Sequence, residues 1–131
     1  MAISFDKALG IHPQAMLLRG QRSEILAANL ANADTPNYKA RDIDFQAMMK
    51  GEMDNRKGLS LGTTHSGHID AFVPDDSDLL YRQPNQASID GNTVDAADEQ
   101  VRFSENSVMY LSSLRFLGDK FKGLQSAIRG E

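Results

Sequence analysis

The residues best suited to chemistry fall in a few places along the chain. His65 and His68, with Asp70 close by, make a His-x-x-His pair of the kind that binds a transition metal. Zinc needs a third and usually a fourth ligand, and none stands at a matching spacing, so the pair reads as loop rather than metal centre. Asp75-Asp76-Ser77-Asp78 has the acid density of a calcium loop. It lacks the glycine at the sixth position and the glutamate at the twelfth, and a solvated acidic turn is the expectation. Asp42 and Asp44 are paired carboxylates, and His12 and several serines are available for acid–base or nucleophilic work. None of them sits in a nucleophile-elbow context, and nothing in the sequence suggests a buried pocket that would shift a pKa. The chain has no cysteine, which removes a thiolate nucleophile, a disulfide framework and Cys-ligated zinc. The expectation is a protein with no catalytic residues, no cofactor and no metal.

Composition narrows the class further. A length of 131 residues supports one modest core. A net charge of −4, with acids and bases spread along the chain and no basic patch, argues against nucleic acid. No stretch approaches the roughly 20 apolar residues of a membrane helix, so no membrane insertion is expected. Met1-Ala2-Ile3-Ser4-Phe5-Asp6-Lys7 has neither the basic start nor the apolar run of a cleaved signal peptide.

Two long helices must position whatever surface the chain presents. Phe5, Leu9, His12, Met16, Arg19, Ser23, Leu26 and Leu30 alternate four and three residues apart, and a second row from Ala8 to Asn29 lies beside them. Together they form an apolar stripe at helical period, interrupted by Arg19 and Arg22. Pro13 fits two arrangements. It can sit in the first turn of a helix starting near residue 13, with Ser4 and Gly10 capping a short helix before it, or it can kink one continuous helix. The helix ends near Asn32. Pro36 biases Thr35 away from helix, and Asn37 tolerates positive φ, which puts Pro36-Asn37 at the centre of a type II turn. Asp44 is placed to cap a short helix from Phe45 to Lys50, ended by Gly51.

From residue 51 to residue 92 no period runs. Gly and Pro recur among Ser, Thr, Asn and Asp; residues 51–66 read as mobile, and Ala71-Phe72-Val73 and Leu79-Leu80-Tyr81 fit short strands or packed loops. Asp90-Gly91-Asn92 reads as a turn, with Asn92 as N-cap and Asp95 at N3 of a last helix. In that helix Phe103, Ser107, Tyr110, Leu114, Leu117, Phe121, Leu124 and Ile128 keep four-three spacing to the end. It is about 33 residues long, or ~50 Å.

The fold class is therefore mainly α. Long N- and C-terminal helices pair antiparallel in a coiled-coil-like arrangement around an irregular centre with candidate short strands. The divisions are residues 1–33, 34–50, 51–92 and 93–131. The central region is poor in large apolar residues, so the distal turns of both helices need a partner. The seam Tyr110, Leu114, Leu117, Phe121, Leu124 and Ile128 is the expected assembly surface.

Ala28-Asn29-Leu30-Ala31-Asn32-Ala33-Asp34-Thr35-Pro36-Asn37-Tyr38-Lys39 resembles the signature of the axial proteins of the bacterial flagellum, the rod and hook components. Its matching residues are Asn29, Asn32, Thr35, Pro36, Tyr38 and Lys39. Ala40-Arg41-Asp42-Ile43-Asp44-Phe45, Leu79-Leu80-Tyr81-Arg82 and Asp90-Gly91-Asn92-Thr93-Val94-Asp95 narrow the resemblance to a proximal rod subunit, and it covers essentially the whole chain. Two departures stand out: Asn37 occupies a position where the family usually has Gly, and Pro13 interrupts a helix the family keeps continuous. The resemblance implies a structural subunit exported unprocessed through the flagellar type III apparatus. Its partners would be other rod subunits, further copies of itself and the rod adaptor protein at the inner-membrane ring. It would sit in the torque-carrying rod that crosses the periplasm, with its terminal helices in the inner layers. The competing readings are a soluble helical adaptor or export chaperone that binds a single partner helix, and a peptidoglycan-cleaving enzyme, which would need a catalytic carboxylate in a cleft.

Overall fold

The computed structural model describes residues 8–57, 79–84 and 88–130. His65, His68, Asp70, Asp75 to Asp78 and the burst at 71–73 lie outside the described residues.

The first helix, α1 (His12–Ala31), resolves the two arrangements open for Pro13. Residues 8–9 are helical, Gly10 turns the chain at φ +62, and α1 starts afresh with Pro13 in its first turn. A proline there loses no hydrogen bond, because first-turn N–H groups have no intrahelical acceptor. At the far end the Asn32 N–H still reaches the carbonyls of Ala28 and Asn29, at 3.2 and 3.1 Å. The turn that follows has Asn37 at φ +60 and a Tyr38 N–H to Thr35 carbonyl bond of 3.3 Å, as a type II turn requires.

Strands β1 (Arg41–Ile43) and β2 (Leu79–Tyr81) pair antiparallel, with Arg41 opposite Tyr81 and Ile43 opposite Leu79. A ribbon this short is marginal alone and needs packing from elsewhere. Between them α2 (Phe45–Lys57) begins at Asp44, whose Oδ1 accepts from the Ala47 N–H at 2.9 Å. The helix runs through Gly51, which corrects the expected stop there. Glycine ends a helix when it takes the left-handed conformation, and Gly51 does not. Inside a helix it costs only about 1 kcal/mol. The N-terminal part of the stretch expected to be mobile is therefore helical.

The last helix, α3 (Ala96–Arg129), is 34 residues long. Its cap is Asp95, whose side chain accepts from the N–H groups of Ala97 and Asp98 at 3.0 and 3.3 Å. This corrects the assignment of the cap to Asn92, which is buried and bonded elsewhere. At the other end Gly130 takes φ +77 and returns its N–H to the Ser126 carbonyl. Among the described residues no helix is long and apolar enough to cross a membrane.

Helices α1 and α3 pack antiparallel. Asn29 meets Glu99, Arg19 and Ser23 meet Asn106, and the His12 and Phe116 rings lie 5.9 Å apart, so the residue numbers run in opposite directions. The apolar core is small: Leu18 and Leu26 of α1, with Ala40 and Ile43 of the β1 segment. The buried line of α3 is polar. Glu99, Asn106 and Ser113, seven residues apart, are its buried residues, while Val101, Val108, Leu111, Leu114, Phe121 and Ile128 stay exposed.

Candidate functional site

The signature residues converge where the chain leaves α1. Asn29 is fully buried, at 0% exposure, and binds the backbone of Arg41 at both ends. Its Nδ2 donates to the Arg41 carbonyl at 2.7 Å and its Oδ1 accepts from the Arg41 N–H at 3.0 Å. The same Nδ2 donates to Glu99 Oε2 at 3.1 Å, and the Tyr38 hydroxyl donates to Asn29 Oδ1 at 3.3 Å. One primary amide thus joins α1, β1 and α3. A primary amide on a stem this short, which only asparagine has, offers the two N–H donors and the carbonyl acceptor that these bonds use.

The other signature residues shape the turn. Asn32 Nδ2 donates to the Ala28 carbonyl at 2.8 Å, and its Oδ1 accepts from the Thr35 hydroxyl at 3.2 Å. Pro36 is exposed at the tip of the turn. Lys39 Nζ donates to the Gly91 carbonyl. Asn92 closes the turn from the opposite strand of chain: its Nδ2 donates to the carbonyls of Asn32, Ala33 and Thr35, at 3.1, 2.6 and 3.0 Å. Asn37 lies against Gly91, which stands at φ +74. The positive φ is what favours glycine there; a Cβ would come within 2.7 Å of Asn37 Oδ1, the end of an exposed side chain that can turn aside.

A charged cluster extends from Asn29. Arg22 grips Asp42 through two bonds of 2.9 Å, from Nε to Oδ1 and from Nη2 to Oδ2. Arg82 Nη2 donates to Asp42 Oδ2 at 2.6 Å, and Arg82 Nη1 donates to Glu99 Oε1, which is almost fully buried. Two guanidinium groups and two carboxylates balance within a half-buried network joining α1, β1, the end of β2 and α3. Burial disfavours the charge on Asp42, yet the hydrogen bonds and charge of Arg22, the Ile43 N–H and Arg82 outweigh it and hold the carboxyl below its ordinary value. Sequence reasoning missed this network. The signals were present: Arg22 interrupts an apolar stripe, and Asp42 and Arg82 sit within the quoted motifs. Glu99 alone gives no sign, because an acid in the first turn of a helix is ordinary.

The expected seam lies along the edge of the α1–α3 contact. Tyr110, Leu117 and Leu124 are half-buried, while Leu114, Phe121 and Ile128 are 47%, 48% and 85% exposed. Among the described residues no group of three or more acids or histidines is placed to hold a metal ion.

The family model for "Flagella basal body rod protein" matches residues 11–39, which span α1 and the signature turn. Near-full-length relatives decide the matter. The chain is 47% identical to the flagellar basal body rod protein FlgB of Aeromonas hydrophila, over 100% of this chain and 99% of the relative. It is 45% identical to FlgB of Yersinia ruckeri over 98% of both chains, and 47% identical to FlgB of Salmonella typhimurium over 95% of both. The chain belongs to the FlgB family of flagellar basal body rod proteins. A FlgB-family chain is a structural component of the rod and interacts with other rod components. The junction built on Asn29 and Asn92 is where the chain leaves α1.

Proposed function

We propose that this chain is a structural subunit of the proximal rod, polymerising through its terminal helices into part of the torque-transmitting shaft, and that it catalyses no reaction. The observation that supports this reading most directly is the exposure of Leu114, Phe121 and Ile128 along α3, while the intramolecular contact line is given to polar residues. Apolar side chains that a helix leaves exposed are available for neighbours. The seam Tyr110, Leu114, Leu117, Phe121, Leu124 and Ile128 is the assembly surface in this reading. Asn29, Asn32, Thr35, Pro36, Tyr38 and Lys39 fix the angle at which the chain departs from it. The finer assignments follow from the same reading: contact with the rod adaptor at the inner-membrane ring, passage through the type III export apparatus without loss of a leader, and residence in the periplasmic span of the rod.

Deleting the gene and imaging isolated basal bodies, with a swimming assay alongside, tests the proposal. Rings without a rod, restored by the wild-type copy, together with the chain itself in purified rods, are the expected result. A chain required for rods but absent from them would be an assembly chaperone instead. Normal rods and normal swimming in a strain with no second copy would end the proposal.

A further inference from the structure

We propose that a second copy of this chain docks the distal part of its α3 into a cleft on the side of α3 away from the seam. Its Asp119 carboxylate then meets Arg19, and its Phe116 ring meets Phe45 and Met109. This rests on the rod-subunit reading above and adds a second, complementary face to the seam.

The cleft lies between α1, the start of α2 and the middle of α3, with a volume of about 700 Å³. Arg19, Phe45, Val108 and Met109 line it, and Val108 and Met109 are exposed. The Arg19 guanidinium stands 4.2 Å over the Phe45 ring. It forms no ion pair with a described residue, and its buried Nε has no hydrogen-bond partner. Arg22, Arg82 and Arg102 each hold a carboxylate, so Arg19 is set apart from them. The cleft also presents Glu105. It therefore calls for an anion beside a large apolar group, with a cation close by.

The chain has such a segment of its own. Phe116, Asp119 and Lys120 stand at i, i+3 and i+4 on one side of α3, all exposed, with one side of the Phe116 ring toward His12 of its own α1, and neither Asp119 nor Lys120 forms an ion pair with a described residue. Asp119 matches Arg19, and Lys120 matches Glu105. The pairing cannot close within one chain. Arg19 lies level with Met109 in the antiparallel register, and Asp119 is about ten residues further along α3, ~15 Å away. A copy turned half a revolution about an axis parallel to α3, and slid along it by that stagger, brings the two faces together. Each copy then has one cleft and one Asp119 segment on different parts of its surface. That contact is heterologous and repeats without closing, as a filament requires.

Absence of cysteine makes the test direct. Arg19→Cys and Asp119→Cys chains are co-expressed, and rods are purified and treated with a short bismaleimide, since the gap is too wide for a disulfide. A cross-linked dimer of the chain that needs both variants is expected. Rods that contain both variants and give no dimer, or a cross-link to another rod component, overturn the proposal. Gln46→Cys, on the rim of the same cleft, replaces Arg19→Cys if the latter does not enter rods. In parallel, Arg19→Glu is expected to lower incorporation about tenfold, and Arg19→Glu with Asp119→Arg to restore it. A double variant no better than the single overturns the pairing. Absence of the wild-type chain from purified rods would instead end the rod-subunit reading, so the two failures are distinct.

Discussion

At the scale of single residues, the junction depends on Asn29 and Asp42 for different reasons. Asn29 meets Arg41, Tyr38 and Glu99 with no solvent to substitute for them. Asn29→Ala leaves these groups buried and unpaired, and a loss of about 2–4 kcal/mol is expected, read as a lower urea midpoint. Asn29→Asp keeps the shape but points a carboxylate oxygen at Glu99 and the Arg41 carbonyl. It is expected to cost at least as much as Ala near pH 7 and to recover part of that on acidification. An Asp variant as stable as wild type would show that the amide's donor is not needed. Asp42 contributes to the acid sensitivity of the fold. Its folded pKa lies below the ordinary value of 3.8, so its stabilisation is complete above that value and lost as the pH falls through the folded pKa. Urea midpoints measured from pH 6 to pH 3 should fall steeply below about pH 4. In Asp42→Asn the midpoint should be lower at pH 6 and fall less. A variant with the wild-type slope would place the acid sensitivity elsewhere.

At the scale of elements, α3 separates the work of its faces. Glu99 and Asn106 fix its register on α1, because their bonds to Asn29 and to Arg19 and Ser23 form in one alignment only, while the apolar seam remains at the edge. Phe121→Asp should therefore leave the urea midpoint of the purified subunit nearly unchanged, within about 0.5 kcal/mol, and still exclude the chain from rods. Incorporation of this variant at the wild-type level would remove Phe121 from the assembly surface. The helices themselves were legible, since their period and the proline turn after Asn32 follow from local sequence. The contact line was not. Three polar residues seven apart do not register as a buried face in a search for apolar period, so the seam marked the neighbouring edge instead. Gly51 misled because glycine's preference for a helix end yields to the residues that follow it. Asn92 reads as the cap because the three carbonyls left by the signature turn, which take its side chain, lie far away in sequence; Asp95, expected at N3, caps the helix instead. The Asn92 contact spans some 60 residues of chain, and no local pattern announces it.

At the scale of the whole molecule, the interactions are concentrated at one end. Leu18, Leu26, Ala40, Ile43, the Asn29 amide and the four-charge cluster all lie around the junction, at the level of the first half of α3. Toward Arg129 the helix has exposed or half-buried side chains and two glycines, Gly118 and Gly123, with no neighbouring atom within 4 Å of a Cβ placed there. Cooperative opening follows the local density of buried contacts, so the isolated subunit should not exchange its amides uniformly. Protection is expected to be strongest from Glu99 to Ser113 and in the facing part of α1. It should fall away from Leu117 onward, where helix fraying costs little tertiary contact. In assembled rods the same distal amides should become slow, because neighbours then cover Phe121, Leu124 and Ile128. Hydrogen exchange on verified monomer and on purified rods measures both states. Equal, strong protection of Leu117–Arg129 in the monomer would show that the subunit already satisfies its last helix, and assembly would then need some other surface.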